Sequence, residues 1–217
     1  MRARREAAMR IGCVLMASGE GRRFAAAAGP GAPMKLLAPL AGAPLVVRTA
    51  RSVPPAFELV AATRWPDVAA ALAPLGVRIA VPDGPCRSDS LRAGLAAGAG
   101  AWDGCMFLPG DQPLVSAESF AALAAALEGD PGRAHRLAWR GRPGSPVLFP
   151  RSSFPALARL RGGEGGAGLL RSGAVGAGLV EARRAEELLD VDVPDDLRAA
   201  ERALRGGGTC DWRGEMP

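Results

Sequence analysis

The stretch IGCVLMASGEGRRFAAAAGPGAPMKLL, residues 11–37, decides the fold prediction for this chain. It begins with six mainly apolar residues, Ile11–Met16, which predict a buried β-strand. The strand runs directly into Gly19 and Gly21, and glycines let a backbone approach a ligand and aim successive N–H groups at an anion. In open α/β sheets, ligands bind outside the carboxyl ends of the strands. The stretch therefore predicts a phosphate-binding loop at such an edge.

Apolar runs alternate with helical patterns through most of the chain. The predicted strands after the first are Phe57–Ala62, Val77–Val81, Cys105–Leu108, Arg136–Arg140 and Pro146–Phe149. The predicted helices are Pro44–Val53, Trp65–Leu75, Ser88–Ala99, Ser116–Leu127 and Pro194–Leu204, and a glycine-rich stretch runs from Gly162 to Gly178. The alternation predicts an α/β fold with a mostly parallel sheet covered by helices.

The length of 217 residues predicts one domain, over residues 11–205, with an N-terminal extension over 1–10 and a flexible tail over 206–217. No apolar run has the length of a membrane span, and the basic N-terminus is wrongly flanked for a signal peptide, so we expect a cytoplasmic protein. The net charge of +5 suits an anionic ligand. The arginines are scattered and the aromatic residues few, so no nucleic-acid partner is expected.

Lys35 is the only lysine among 27 basic residues, and the other 26 are arginines. Residues with AT-rich codons are depleted throughout, so a retained lysine points to a position where arginine does not serve, although chance survival is the alternative. An ammonium acts as a compact charge on a phosphate, whereas a guanidinium is planar and bulkier.

The remaining single residues suggest no further site. The four cysteines lack zinc-site or disulfide spacing, and Cys13 and Cys105 lie in apolar runs that predict core positions. His135 has no catalytic partner nearby in sequence and is predicted to lie on the surface at a strand edge.

Two phosphate-binding motifs fail in the glycine-rich loop. The dinucleotide fingerprint requires a third glycine where Phe24 stands, and no acidic residue ends the second strand. A Walker A loop would need Gly-Lys followed by Ser or Thr, which is absent. The alternative to an anion site is an ordinary glycine turn with solvated arginines.

Asp111 follows the strand ending FLPGD and is predicted to lie at the carboxyl edge beside the loop. A carboxylate there suits Mg²⁺. It could instead cap the next helix, although Ser116 is the better cap candidate. In LLDVDVPDDL, either Asp190 or Asp192 could complete the metal site, or the acidic residues could serve only the N-terminus of the last helix.

The motifs together resemble those of the MobA-like nucleotidyltransferases and, among these, the cytidylyltransferases of the molybdenum cofactor. The resemblance runs from about residue 11 to residue 204. Five segments occur in the family's order: LMASGEGRRF with MKLLAPLAGAPLV, SDSLRAGL, FLPGDQPLVS, GRPGSPVLF and LLDVDVPDDL. The resemblance implies a Rossmann-like three-layer fold and Mg²⁺-dependent transfer of CMP from CTP to the phosphate of molybdopterin, with release of pyrophosphate. A molybdenum hydroxylase is an implied partner.

The resemblance also implies roles for individual residues. The catalytic residues would be Arg23, Lys35 and Asp111. The nucleotide-binding residues would be Ala17, Ser18, Gly19, Gly21, Arg22, Arg23, Lys35, Ser88, Ser90, Leu91 and Gly110. Gly144, Ser145, Pro146 and Glu164 would face the acceptor, and Asp111 with Asp192 or Asp190 would hold Mg²⁺.

Departures from the family pattern leave the substrate open. AAAAGPGAP separates Phe24 from Met34 as an apparent insertion, and Ser145 and Glu164 replace a frequent His and Asp on the acceptor side. Val193 replaces a Thr that could cap the last helix, in which case Asp192 could take over the cap and leave the metal to Asp190. KLL and SDSLRAGL are closer to the cytidylyl pattern than to the guanylyl one.

Three hypotheses follow. The first is the molybdenum cofactor cytidylyltransferase activity, and the second is the same chemistry with GTP or with a sugar or polyol phosphate acceptor. The third is a non-catalytic carrier or chaperone that delivers the cofactor to a hydroxylase.

Overall fold

A seven-stranded sheet forms the centre of the protein. The structure, a computed structural model, describes residues 9–206. Across the sheet the order is β5 (Arg78–Ala80), β4 (Glu58–Ala62), β1 (Ile11–Met16), β6 (Gly104–Pro109), β8 (Arg142–Pro150), β7 (Ala134–Trp139) and β9 (Ala177–Glu181). All neighbouring pairs are parallel except those that include β8, which is antiparallel to both β6 and β7. The predicted mostly parallel α/β sheet is confirmed.

Helices cover both faces of this sheet. They are α1 (Arg22–Ala28), α2 (Leu45–Ser52), α3 (Pro66–Leu72), α4 (Arg87–Ala96), α5 (Ala117–Gly129), α6 (Phe154–Leu157), α7 (Gly166–Arg171) and α8 (Pro194–Leu204). Short 3₁₀ turns lie at Lys35–Leu37, Ala73–Leu75, Arg151–Ser153 and Ala185–Leu188, and a small hairpin joins β2 (Pro39–Leu40) to β3 (Ala43–Pro44). Helices α2, α3 and α5 pack on one face, and α4, α6 and α7 on the other. The three layers follow from strands that are apolar on both sides.

The central strand β1 shows why this layering forms. Its first five residues are buried, with Cys13 and Leu15 facing one helical layer and Val14 facing the other. Cys13 and Cys105 are fully buried, as predicted, and burial raises the pKa of both thiols above the ordinary value. Both cysteines are therefore core residues rather than reactive groups.

Of the seven strands in the main sheet, the sequence prediction lacks β9, and the absence of this strand explains a second error. β9 lies within and beyond the glycine-rich stretch, and its alternately exposed residues give no apolar run. Because β9 pairs with β7, the latter is an inner strand. The prediction that His135 lies on the surface is therefore wrong: it is 5% exposed, and its Nε2 lies 2.9 Å from the carbonyl oxygen of Asp130.

The ends of the folded unit differ slightly from the predicted division. Met9 packs against the core. Arg10 N donates to the Asp103 carboxylate, and the Arg10 carbonyl accepts from Asp103 N, so ordered contacts begin before Ile11. Residues 1–8 and 207–217, which hold most of the predicted extension and tail, lie outside the described residues. Among the helices of residues 9–206, none combines the length and the apolar character needed to cross a membrane.

Candidate active site

The carboxyl ends of three neighbouring strands meet at one edge of the sheet. Met16 is in register with Ala62 of β4 and with Pro109 of β6. Backbone hydrogen bonds extend this edge beyond the strands, from Ala17 N to Ala62 O at 2.9 Å and from Gly110 N to Met16 O at 3.0 Å. The loops that follow β1, β4 and β6 therefore start from a common rigid frame.

The glycine-rich loop folds directly against Lys35. Gly21 has φ of +64°, in the left-handed region, and a Cβ added there would lie 2.7 Å from the Lys35 Cβ. Only glycine meets both conditions. The inserted residues form the end of α1 and a return that brings the Lys35–Leu37 turn back beside the loop. The insertion thus leaves Lys35 against the glycines.

Lys35 joins two carboxylates from distant parts of the chain. Its Nζ lies 2.5 Å from Asp111 Oδ2 and 3.4 Å from Asp192 Oδ1. The Lys35 side chain is only 9% exposed. Arg23 approaches the same Asp192 carboxylate from the solvent side at 2.9 Å. Two cations and two anions from four chain segments thus converge at the carboxyl edge.

The two capping alternatives are decided by hydrogen bonds. Ser116 Oγ accepts from Ser119 N at 3.2 Å, so Ser116 caps α5 and Asp111 does not. At α8, Asp196 Oδ2 accepts from the backbone N–H groups of Asp192 and Val193 at 2.9 and 2.8 Å. Asp192 is therefore not needed as a cap, contrary to one alternative above, and its side chain turns toward Lys35.

Asp190 lies in the electrostatic field of this cluster. By surface area Asp190 is exposed. Desolvation of its carboxyl group by the surrounding atoms, followed by the negative charges of Asp111 and Asp192, nevertheless raises its pKa to about 6. The Lys35 charge acts in the opposite direction, as does a hydrogen bond with Gln112. Of the two candidates for the second metal ligand, Asp192 makes the direct contact with Lys35.

The carboxylates of this cluster meet part of what a divalent cation needs. No group of three or more His, Cys, Asp or Glu side chains suited to a metal ion occurs within residues 9–206. Asp111 and Asp192 nevertheless offer two partly exposed carboxylates around one ammonium. Mg²⁺ is usually held by one or two carboxylates, with substrate phosphates and water completing its shell, so these residues fit such an ion.

A pocket of about 340 Å³ lies beside the glycine loop. It is lined by Ser18, Gly19, Glu20, Gly21, Arg22, Arg64 and Pro85. Glu20 and Arg64 were not predicted from the sequence as site residues. One signal could have identified Arg64, since it comes two residues after a predicted strand whose carboxyl end faces the same edge.

The predicted nucleotide-binding residues on α4 are buried. Ser88 Oγ donates to the Gly162 carbonyl at 2.9 Å, and Ser90 and Leu91 are 3% and 2% exposed. Leu91 packs in the core between α4 and the sheet. Through Ser88, the start of α4 holds the glycine-rich segment that carries Glu164. Pro85, which lies just before α4, lines the pocket, whereas these three side chains do not.

The predicted acceptor residues lie on the far side of β6. Val147 is in register with Phe107, so Gly144, Ser145 and Pro146 lie near the carboxyl end of β6. The Arg136 guanidinium donates two hydrogen bonds to the Gly144 carbonyl at 3.0 and 2.7 Å. Glu164 is exposed, and its Oε2 accepts from Arg161 N at 2.7 Å.

Comparison with known proteins gives consistent results. The sequence profile of a family described as the MobA-like NTP transferase domain matches residues 13–179. The chain is 36% identical over 103 residues to the purine catabolism protein PucB of Bacillus subtilis strain 168, covering 47% of this chain and 49% of that protein. The alignment thus spans about half the length of that relative.

Two solved structures resemble the whole fold. A nucleotidyl transferase from Methanothermobacter thermautotroptrophicus, Mth528, is 28% identical with a TM-score of 0.78, covering 93% of this chain and 100% of that one. Rv0371c of Mycobacterium tuberculosis, solved in complex with manganese, is 27% identical with a TM-score of 0.67, covering 89% of this chain and 99% of that one.

Proposed function

This chain belongs to the MobA-like NTP transferases and is a nucleotidyltransferase, and from that premise we propose that it transfers CMP from CTP to the phosphate of a molybdopterin-type acceptor. The transfer releases pyrophosphate and depends on Mg²⁺. A molybdenum hydroxylase that receives the product is the proposed protein partner.

One observation carries the proposal. The buried ammonium of Lys35 lies at 2.5 and 3.4 Å from the carboxylates of Asp111 and Asp192, beside a glycine loop whose backbone is open to a ligand. A cation and two anions fixed at such a place can bind the charges of a triphosphate and of a divalent ion together. A protein that only carried a cofactor would not need this arrangement.

The proposed reaction needs positioning and charge neutralisation rather than covalent help. An oxygen of the acceptor phosphate attacks the α-phosphorus of CTP, a new P–O bond forms, and the bond to the β-phosphate oxygen breaks as pyrophosphate leaves. The backbone at Gly19 and Gly21 and the Arg23 side chain bind the triphosphate. Lys35 stabilises the negative charge that grows on the α-phosphate in the transition state.

Asp111 and Asp192 would hold the divalent ion, with Asp190 next to them. When bound, such an ion neutralises phosphate charge and fixes the phosphate geometry. The relative solved with manganese supports a divalent ion in this family, and Mg²⁺ is our specific proposal.

The choice of CTP and of the acceptor rests on sequence segments. KLL at residues 35–37 and SDSLRAGL at residues 88–95 support cytidylyl transfer. Gly144, Ser145, Pro146 and Glu164 are proposed to face the acceptor, and the position of Pro146 near the end of β6 supports this for the first three.

The test is pyrophosphate release by the purified protein with Mg²⁺ and molybdopterin, comparing CTP, GTP, ATP and UTP. We expect release with CTP alone, and a loss of about 100-fold or more in the Asp111→Ala variant. Asp195→Ala is the matched control, because Asp195 is an exposed carboxylate on α8 whose ion pair within residues 9–206 is with Arg198.

The other outcomes identify which part of the proposal is wrong. Release with GTP alone would contradict the choice of CTP, whereas the proposed type of reaction would still hold. Release with a sugar phosphate but not with molybdopterin would contradict the acceptor. Folded Asp111→Ala protein that still delivers molybdopterin cofactor to a hydroxylase at the normal rate would favour the carrier hypothesis.

A further inference from the structure

An acidic residue lies inside the glycine-rich loop, where a bound triphosphate would repel it. Glu20 stands between Gly19 and Gly21 and lines the pocket together with Arg22 and Arg64. Glu20 Oε2 contacts Arg22 Nε at 2.5 Å, and Glu20 Oε1 contacts an Arg64 terminal nitrogen at 2.9 Å. Both carboxylate oxygens are thus used, each by a different arginine.

Arg64 is held in place by the loop itself. Its guanidinium lies over the Trp65 ring, 4.4 Å from the centroid, and Trp65 Nε1 donates to the Ser18 carbonyl at 3.1 Å. The Arg64 side chain is 23% exposed. Its Nε is buried and finds no hydrogen-bond partner among residues 9–206. The guanidinium is therefore fixed in position and keeps one N–H donor without an acceptor. A phosphate group, which has more acceptor oxygens than a carboxylate, could accept from this donor as well.

Glu20 has the charge that makes it a substitute for such a ligand. Hydrogen bonds from Arg22 and then Arg64 hold the pKa of Glu20 below its ordinary value, so it is ionised at neutral pH. The carboxylate therefore lies between two cations, and an arrangement of this kind also suits a phosphate group.

We propose that Arg64 is a further phosphate-binding residue of the nucleotide pocket, and that Glu20 occupies its anion position in the free protein until the triphosphate displaces it. The inference rests on the proposed function only in taking a triphosphate as the ligand. Glu20 could have either of two roles toward Arg64: it could compete with the ligand, as proposed, or it could hold Arg64 in position when the ligand is bound as well.

The direction in which Glu20→Gln changes the affinity for a phosphate ligand separates these two roles. Binding of inorganic tripolyphosphate in excess Mg²⁺ is measured by titration calorimetry, because this probe has no base and needs no transfer reaction. Glu20→Gln removes the competing charge, and we expect tripolyphosphate to bind about three- to tenfold more tightly. Arg64→Met keeps the contact with Trp65 but loses the charge, and should weaken binding by about tenfold or more.

Glu201→Gln is the matched control. It removes the same charge from an ion pair with an arginine, Arg205, at the end of α8, and should leave the affinity unchanged. Weaker or unchanged binding by Glu20→Gln would overturn the displacement, and unchanged binding by Arg64→Met would overturn the role of Arg64. If Glu20→Gln fails to fold, judged by thermal melting, Glu20→Ser removes the same charge at this exposed position and should give the same tighter binding, and weaker or unchanged binding by it would overturn the displacement.

Failure of the proposed function would look different. Absence of nucleotidyl transfer from all four nucleoside triphosphates, together with the expected changes in tripolyphosphate affinity, would contradict the transfer reaction and support the roles of Glu20 and Arg64.

Discussion

Lys35 occupies a position fitted to a narrow side chain. Its Cβ lies against Gly21, its side chain is 9% exposed, and its single charged nitrogen contacts Asp111 and Asp192. A guanidinium is wider and carries its charge over three nitrogens in a plane. The only lysine of this arginine-rich chain therefore lies in a narrow, buried position, and we expect arginine to fit there poorly.

A reciprocal pair of charge-conserving swaps tests this. Lys35→Arg should lower the rate of pyrophosphate release by about 100-fold, because a displaced charge no longer meets the α-phosphate. Arg23→Lys should cost far less, since the Arg23 side chain is 76% exposed. Equal losses in the two variants would contradict the importance of shape at Lys35. The measurement is kcat with CTP, with melting temperatures as a check of folding.

Gly21 allows a second prediction at a single residue. Gly21→Ala should lower stability by about 1 kcal/mol through its left-handed backbone and should also reduce activity, because the new methyl group would displace Lys35. Gly76 is the control: its φ is +66°, and a Cβ there meets nothing within 4 Å. Gly76→Ala should show the loss of stability in denaturant unfolding without the loss of activity.

Helix α8 connects its own N-terminus to the site. Asp196, at its third position, accepts hydrogen bonds from the backbone of Asp192 and Val193. The helix thereby gains the cap that Val193 does not provide and fixes the peptide that carries Asp192. One carboxylate stabilises the helix, so the other remains available for Lys35 and Arg23.

Loss of the Asp196 carboxylate should affect both α8 and the site. Asp196→Ala should lower the free energy of unfolding by about 1 kcal/mol. It should also reduce turnover, because the backbone N–H groups of Asp192 and Val193 each lose their hydrogen bond to this carboxylate. Asp195→Ala, one residue earlier and exposed, should change neither quantity by a comparable amount. Loss of stability with full turnover would show that the position of Asp192 does not depend on the cap.

Glu187 connects the C-terminal region to the start of α5 in the helical layer. It is fully buried, and its two oxygens accept from Ser116 N and Oγ at 3.1 and 3.0 Å and from Arg183 N at 3.1 Å. The chain between Ser116 and Glu187 includes β7, β8 and β9. The carboxylate therefore holds together both ends of the segment that carries the proposed acceptor residues.

Removing this charge should be costly. Glu187→Gln turns an N–H donor toward another donor, and we expect a loss of about 2 kcal/mol in the free energy of unfolding. Glu186→Gln removes the same charge from a half-buried neighbour and should cost little. Chemical denaturation of both variants is the measurement, and equal midpoints would contradict the role assigned to Glu187.

The sequence alone determined the features that depend on local patterns. The apolar runs predicted the parallel sheet, and the glycines after Ile11–Met16 and the aspartate after FLPG predicted which edge carries polar groups, because the ends of parallel strands are fixed by strand direction. Ser116 was correctly chosen as the cap of α5, because a capping serine acts within one turn of its own helix.

Only the tertiary structure decided the features that depend on contacts between distant segments. The pairing of Glu20 with Arg64 joins residues 44 apart, and that of Lys35 with Asp111 joins residues 76 apart. The burial of His135 depended on β9, a half-exposed strand with no apolar run of its own. Local patterns record which residues are apolar and where the chain turns, whereas the partner of a charged side chain is set by which loops the sheet brings together.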